Sequence, residues 1–557
     1  MRAAILAILG CCVVAWAVPA AETPPVWDDE TVQLFATLPL QEMGRVKPMD
    51  TFASFKLLQI NGRRKCKVGD SSMPGVLGKM IYPNRKPVPW FLDCLFYPEL
   101  ARNYPMFVVE NSDAIVALGA KPLGEKRGRY SYAQLEGARQ RLFEMGDDYA
   151  HKPAQELDAV QRDILRLAQN VSAFEDLFSY MDFTRKTFDI GESQALAALF
   201  PGQSAVRLSE VLAKAPEVSA RFSVLQQNAD GLDEAAQKKE LDAFHAFLAQ
   251  LEPVWHSASA MALFPPADDT KEWLSVNDAV SVAFKGGPEA AGYIEWIATL
   301  ERLGQKRDDR AAFKAELKSF HDAAVDRAKA RGEYETIELE VAFYHAKLFY
   351  RSLVFFIICF VLIALSWLMP RNRFMGKLAP VALTVPTVLL IAGITMRCII
   401  RGRPPVTTLY ETVLFVTAVM VVVALFIEYI NRQRVALALG AILGVLGMLL
   451  ANKYEMANAE DTMPSMIAVL DTNFWLTAHV TTIVIGYAAC LFSGAMAHLY
   501  VAGKLLGLRK NDPAFYSSLT RMVYGIFCFG FFFPFMGTVL GGIWANESWG
   551  RFWGWDP

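Results

Sequence analysis

Four of the chain's twelve tryptophans crowd into its last stretch, Trp544, Trp549, Trp553 and Trp555, spaced by glycine, serine, asparagine and arginine and closed by Asp556-Pro557. An indole is a broad apolar plate with a single N–H. Such a series suits either the aromatic belt at a membrane–water boundary or a platform for a large, flat, apolar ring. A belt places one or two aromatics at a helix end, whereas this series runs on among glycines, which favours the platform. His479 sits near the start of another apolar run, Trp475-Leu-Thr-Ala-His479-Val, with Gly486-Tyr487 following. An imidazole at membrane depth is either a hydrogen-bonded structural group or a functional one. Arg397, Arg401 and Arg403 precede Pro404-Pro405 and Glu411. Guanidinium forks suit carboxylates, so Arg401 and Arg403 are candidate ligands for a carboxylate-bearing guest; the alternative is a local pair with Glu411 plus contact with lipid headgroups.

Long apolar runs must position these groups. From Leu348 onward the sequence offers six runs near the roughly 20 residues that a hydrocarbon core requires, at about 348–369, 378–398, 412–430, 435–450, 474–503 and 522–543. The fourth is short and calls for extension or local bilayer thinning. Basic residues mark one side: Arg371, Arg373 and Lys377, then Arg432 and Arg434, then Lys504, Arg509 and Lys510. The 451–473 loop on the other side carries Glu455, Glu460, Asp461 and Asp471 against one lysine, Lys453. The positive-inside rule then places that loop, His479 and the tryptophans outside. His498 lies 19 residues beyond His479, about 28 Å along a helix, too far to share one metal with it.

The amino-terminal part reads differently. Met1-Arg2 and the apolar run to Val18, followed by Pro19-Ala20-Ala21, form a signal peptide over 1–20, with an uncleaved anchor as the alternative. Residues 21–345 are rich in amphipathic helical spacing, as at Leu157, Val160, Ile164 and Leu167, and poor in alternating runs. Asp50-Thr51 reads as a helix start, and Glu338 with Glu340 as a solvated helix face. His151, His245, His256 and His321 are scattered singly and read as structural. Cys66 and Cys94 are the two cysteines of this part and could form one disulfide if it lies outside the cytoplasm. Across the chain, 53% hydrophobic content beside 20% charge points to a polytopic membrane part joined to a soluble one, and a net charge of −2 argues against a nucleic-acid partner. The expected architecture is an all-α polytopic membrane protein of about six transmembrane helices, residues 346–543, preceded by a mainly α-helical extracytoplasmic domain and followed by a Trp-rich segment, 544–557.

The run Trp544-Ala-Asn-Glu-Ser-Trp549-Gly-Arg-Phe-Trp553-Gly-Trp555-Asp556-Pro557 resembles the tryptophan-rich WWD signature of haem-handling proteins of cytochrome c biogenesis, most closely the CcsA-type proteins of system II. The stretch around His479 is similar to the family segment that bears the first external haem-ligating histidine. The resemblance covers about 345–557. It implies that haem b, as transported ligand and substrate, rests outside the membrane against Trp544, Trp549, Trp553 and Trp555. His479 would ligate the iron, Arg401 and Arg403 would meet the propionates, and Asp556, like Glu547, would order the loop as an acceptor. It further implies attachment of haem to the CxxCH segment of an apocytochrome c, a haem lyase activity that would follow from positioning, with no side chain as an evident acid or base. ResB-like or thiol-reducing proteins would be partners in the inner (plasma) membrane of a bacterium. Family members continue past this motif through further spans that carry the second external histidine, so a chain stopping at Pro557 reads as a fragment. The soluble domain is unlike the β-rich ResB partner. A permease for a non-haem substrate, and a b-type haem or quinone electron-transfer anchor, are the competing readings.

Overall fold

The computed structural model describes residues 26–68, 84–123, 128–227, 233–369, 372–465, 473–552 and 554. The expected signal peptide and Trp553, Trp555 and Asp556 lie outside the described residues. The structure is 72% helical, as the sequence patterning leads one to expect. Its soluble part opens with helix α1, Asp29–Ala36, capped by the Asp28 carboxylate on the Thr31 N–H. Strands β1, Pro39–Glu42, and β2, Arg45–Pro48, form a hairpin in register Pro39↔Pro48 to Glu42↔Arg45. Met43 and Gly44 turn it with φ of 52° and 70°, the left-handed geometry that matches strand twist in a tight hairpin. Two further short strands, Ala262–Phe264 and Leu274–Ser275, extend this sheet from β1. Around it pack α2, Met49–Asn61, α3, Pro87–Phe96, and α4, Ala159–Ser179, whose apolar faces share one core with Trp90, Phe91, Phe107, Phe174 and Phe244 fully buried.

Two expectations about this part change. Pro48, without a capping bond, stands where Asp50-Thr51 was expected to cap α2. Instead the Thr51 hydroxyl donates to Glu340, and Asp50 faces the His345 ring at 3.6 Å. Glu340 is buried (1% exposed) rather than solvated, because its helix, α5, Ile337–Ala346, turns that face onto β2. Cys66 and Cys94 are both buried free thiols; burial pushes Cys66 up to about 12 and Cys94 well above its ordinary value. Neighbouring Asp93 is fully buried and accepts from Trp27 Nε1 (2.8 Å) and Tyr104 Oη (3.0 Å), with Arg85 Nε at 3.0 Å. Burial still outweighs these partners and raises its carboxyl to about 6. Of the other histidines outside the spans, His151 meets the Asp147 carbonyl, His321 meets Thr37 and Asp322, and the His245 ring packs edge-on with Phe222.

Among the described residues six helices are long and apolar enough to cross a membrane. Lys347, at φ 49°, breaks α5 from the first of them. They are α6, Leu348–Leu368, α7, Arg373–Arg401, α8, Leu409–Asn431, α9, Val435–Asn458, α10, Thr481–Leu505, and α11, Pro513–Trp549. The fourth is longer than the apolar run alone, since Asn452–Glu455 carry on the helix where the soluble domain covers it. The sixth continues through Trp544 to Trp549 instead of ending at Ile543. Nothing between Ala545 and Ser548 breaks a helix, and the first left-handed residue is Gly550, φ 70°. Residues on α6 to α11 such as Phe356, Leu383, Val421, Leu437, Phe492 and Ile526 make a second core, while Phe531, Phe535, Leu446 and Phe426 point outward.

Candidate functional site

The chain brings His479 and Trp544 together. His479 lies in a π-helical turn, Leu476–Val480, just ahead of α10, a local widening of the helix that recurs at functional positions. Across from it runs α11, where Gly537 and Gly541 stand one turn apart. A Cβ at Gly541 would come within 2.6 Å of His479 Cε1, and one at Gly537 within 2.8 Å of Ile483 Cβ. The missing methyls let the two helices approach until His479 Nδ1 sits 2.7 Å from the Gly537 carbonyl. A carbonyl only accepts, so Nδ1 carries the proton and donates. In a neutral ring this leaves Nε2 with its lone pair, the tautomer that ligates metals through Nε2. The Trp544 ring centroid is 5.9 Å from the imidazole, tilted by 58°. Among the described residues no group of three or more His, Cys, Asp or Glu is gathered as a metal site, so the site offers one imidazole beside one indole.

Trp549 sits elsewhere on the helix. Five residues of helix rotate it about 140° from Trp544, and it is exposed at the helix end. After Gly550 the chain doubles back, and Phe552 closes onto Gly542, where a Cβ would meet its ring at 2.6 Å. Glu547 accepts from Trp475 Nε1 at 2.7 Å, which ties the end of α11 to the start of the His479 segment. The expected acceptor role of Glu547 is thus to join two helices.

The arginines serve the neighbouring loop. Arg401 and Arg403 each donate to the Pro464 carbonyl at 2.9 Å. Arg397, not they, pairs with Glu411 (2.9 Å), and it also donates to the Thr462 carbonyl (2.6 Å) and hydroxyl (3.0 Å) beneath the Tyr410 ring. Among the described residues neither Arg401 nor Arg403 touches His479 or Trp544 by hydrogen bond or ring contact. Among the described residues each keeps a buried Nε without an acceptor, as does Arg397. The same loop is held from the soluble side. Arg45 and Lys47 on β2 reach Asp461 at 2.5 and 2.8 Å, Arg45 also pairs with Glu340 at 2.6 Å, and Ser465 donates to the Met43 carbonyl. Burial opposes the Asp461 charge, but Arg45 and Lys47 outweigh it and hold the carboxyl well below the usual range. The soluble domain, the 459–465 loop, His479 and the end of α11 therefore share one end of the helix bundle.

Sequence reasoning found the histidine, the tryptophans and the arginines but passed over Gly537 and Gly541. Their spacing of four in an apolar helix is the small-residue signature of close helix packing and was available to be read. The loop clamp left no such signal, because its arginines lie from 61 to 416 residues from their partners in the loop.

Residues 406–557 match the family described as Cytochrome C assembly protein. The chain is 26% identical to the cytochrome c biogenesis protein CcsA of Trieres chinensis over 37% of this chain and 77% of that one. It is 29% identical to the CcsA of Chlamydomonas reinhardtii over 31% of this chain and 50% of that one, and 32% identical to protein NrfI of Wolinella succinogenes over 30% and 18%.

Proposed function

We infer that this chain, a CcsA-type protein of cytochrome c biogenesis with a multi-pass membrane part, holds substrate haem b on His479 beside Trp544. The observation that carries the reading is the His479 Nδ1–H donated to the Gly537 carbonyl, which leaves Nε2 free for an iron atom while the Trp544 indole offers a ring face alongside. Trp549 is proposed as the rim of the same platform, with Trp553 and Trp555 completing it and Asp556 as a loop-ordering hydrogen-bond acceptor. Arg401 and Arg403 are proposed to turn their spare guanidinium N–H groups to the propionates. With the ring held, a CxxCH segment of apocytochrome c would meet it at the outer mouth, and thioether formation would follow from orientation. Haem lyase activity is thus part of the proposal, as is help from ResB-like or thiol-reducing proteins. The bacterial inner membrane with the soluble domain on the periplasmic side is the proposed setting. It is supported by Arg432 and Arg434 at one end of the bundle and Glu455, Glu460 and Asp461 at the other.

The test is the visible spectrum of the detergent-purified protein. Wild type should show a Soret band and His479→Ala should lose most of it. A colourless wild type after growth with ample iron and porphyrin precursor would sink the reading. Arg401→Gln and Arg403→Gln should each retain haem about tenfold less tightly, the size of one lost charge-assisted bond. Unchanged occupancy in a folded protein would remove the arginines from the haem site.

A further inference from the structure

A cleft of about 790 Å³ lies between the soluble domain and the outer loop of the membrane part, and none of the residues discussed for haem lines it. Helices α2 and α4 form one wall, and the end of α9 with the 459–465 loop that the arginines clamp forms the other. The volume is in the range of sites that enclose sizeable ligands. Its chemistry narrows the guest. Gln59, Gln169 and Asn170 project side-chain amides that have no hydrogen-bond partner among the described residues, and Asn170 is 7% exposed. Amides carry donor and acceptor together, the complement of a peptide group. Arg63 and Glu460, likewise without partners among the described residues, put both signs of charge in the same cleft, so neither an anionic headgroup nor a cation is selected. Among the described residues no imidazole or thiol lines it, which leaves a porphyrin iron without the ligands described above.

We propose that this cleft receives an extended stretch of polypeptide. Taken with the function proposed above, on which this identification of the guest rests, that stretch is apocytochrome chain flanking the haem-attachment motif. The amides would pair with its backbone as an added strand does, and Arg63 and Glu460 would meet its charged side chains. Residues 459–465 lie at the same end of the bundle as His479 and Trp544, so the guest is held on that side.

The experiment uses the purified full chain and a fluorescent synthetic peptide carrying Cys-X-X-Cys-His with its thiols alkylated. Gln59→Ala combined with Gln169→Ala, both at positions that are not fully buried, should weaken peptide binding about tenfold and leave the Soret band unchanged. A photo-crosslinker at position 169 should capture the peptide, while one at exposed Lys239 should not. Equal peptide affinity in the double variant, or equal capture at both positions, overturns the proposal. A Soret band that falls in the double variant while peptide affinity holds overturns it in favour of a porphyrin in the cleft. Peptide binding that depends on Gln59 and Gln169 in a colourless wild type would support the cleft and overturn only the haem reading.

Discussion

Arg45→Met should release the soluble domain from the membrane part, at a cost of about 3–5 kcal/mol, the size expected when one partner of a buried ion cluster is removed. Arg45 is 7% exposed and bridges Glu340 and Asp461, which are 1% and 9% exposed. Among the described residues, taking it away leaves Glu340 with the Thr51 hydroxyl, and Asp461 with Lys47 and the Met463 N–H. The comparison is Arg64→Met. Its pair with Glu455 is more open, at 32% and 17% exposure, and such pairs contribute about 1 kcal/mol or less. Thermal unfolding of the purified variants, with protease cleavage between residues 459 and 465 as a second readout, separates them. If Arg45→Met is no worse than Arg64→Met, the cluster does not fasten the two parts. The pH dependence follows from Asp461. Its folded carboxyl titrates below its ordinary 3.8, so the stability it contributes is complete above that value and declines as pH falls through the acid range below about 4. Asp461→Asn should be less stable than wild type at neutral pH and lose less on acidification.

Gly541→Ala should strip the chain of haem while leaving its folding intact. Alanine favours a helix over glycine by about 1 kcal/mol, so the substitution would stabilise α11 taken alone. The added methyl, however, would lie 2.6 Å from His479 Cε1, closer than two carbons can pack. The ring must rotate away from the Gly537 carbonyl or α10 must move off α11. Either motion frees Nδ1 and misdirects Nε2. Gly525→Ala on the same helix is the control, since a Cβ there meets nothing within 4 Å. The expected result is a Soret band greatly reduced for Gly541→Ala and unchanged for Gly525→Ala, with similar unfolding temperatures. Equal spectra would show that the helix contact does not position the imidazole.

These two positions also show why the site is built as it is. A neutral histidine in a membrane bundle needs an acceptor for its proton, and the helix backbone supplies one only where side chains do not hold the helices apart. Gly537 and Gly541 provide that access. The Trp475 to Glu547 bond closes the same pair of helices one turn further out. The site is therefore a property of the α10–α11 contact more than of the tryptophan motif.

Much of this molecule could be read from its residues in order. The six spans, the mainly helical soluble domain, and the placing of His479, Trp544 and Trp549 at one end of the bundle follow from local quantities. Those are the length of an apolar run, the period of its polar breaks and the sign of charge between runs, and each is carried by neighbours in the chain. The tertiary structure decided what depends on distance in space. It turned Glu340 from a solvated carboxylate into the partner of Arg45. It gave Arg401 and Arg403 to the Pro464 carbonyl, carried α11 through Trp544 to Trp549, and, of the described tryptophans of the motif, set Trp544 against His479. The physical reason is that a charge or a glycine has no fixed role in sequence; its role is set by which backbone groups lie within 3 Å once the chain has packed.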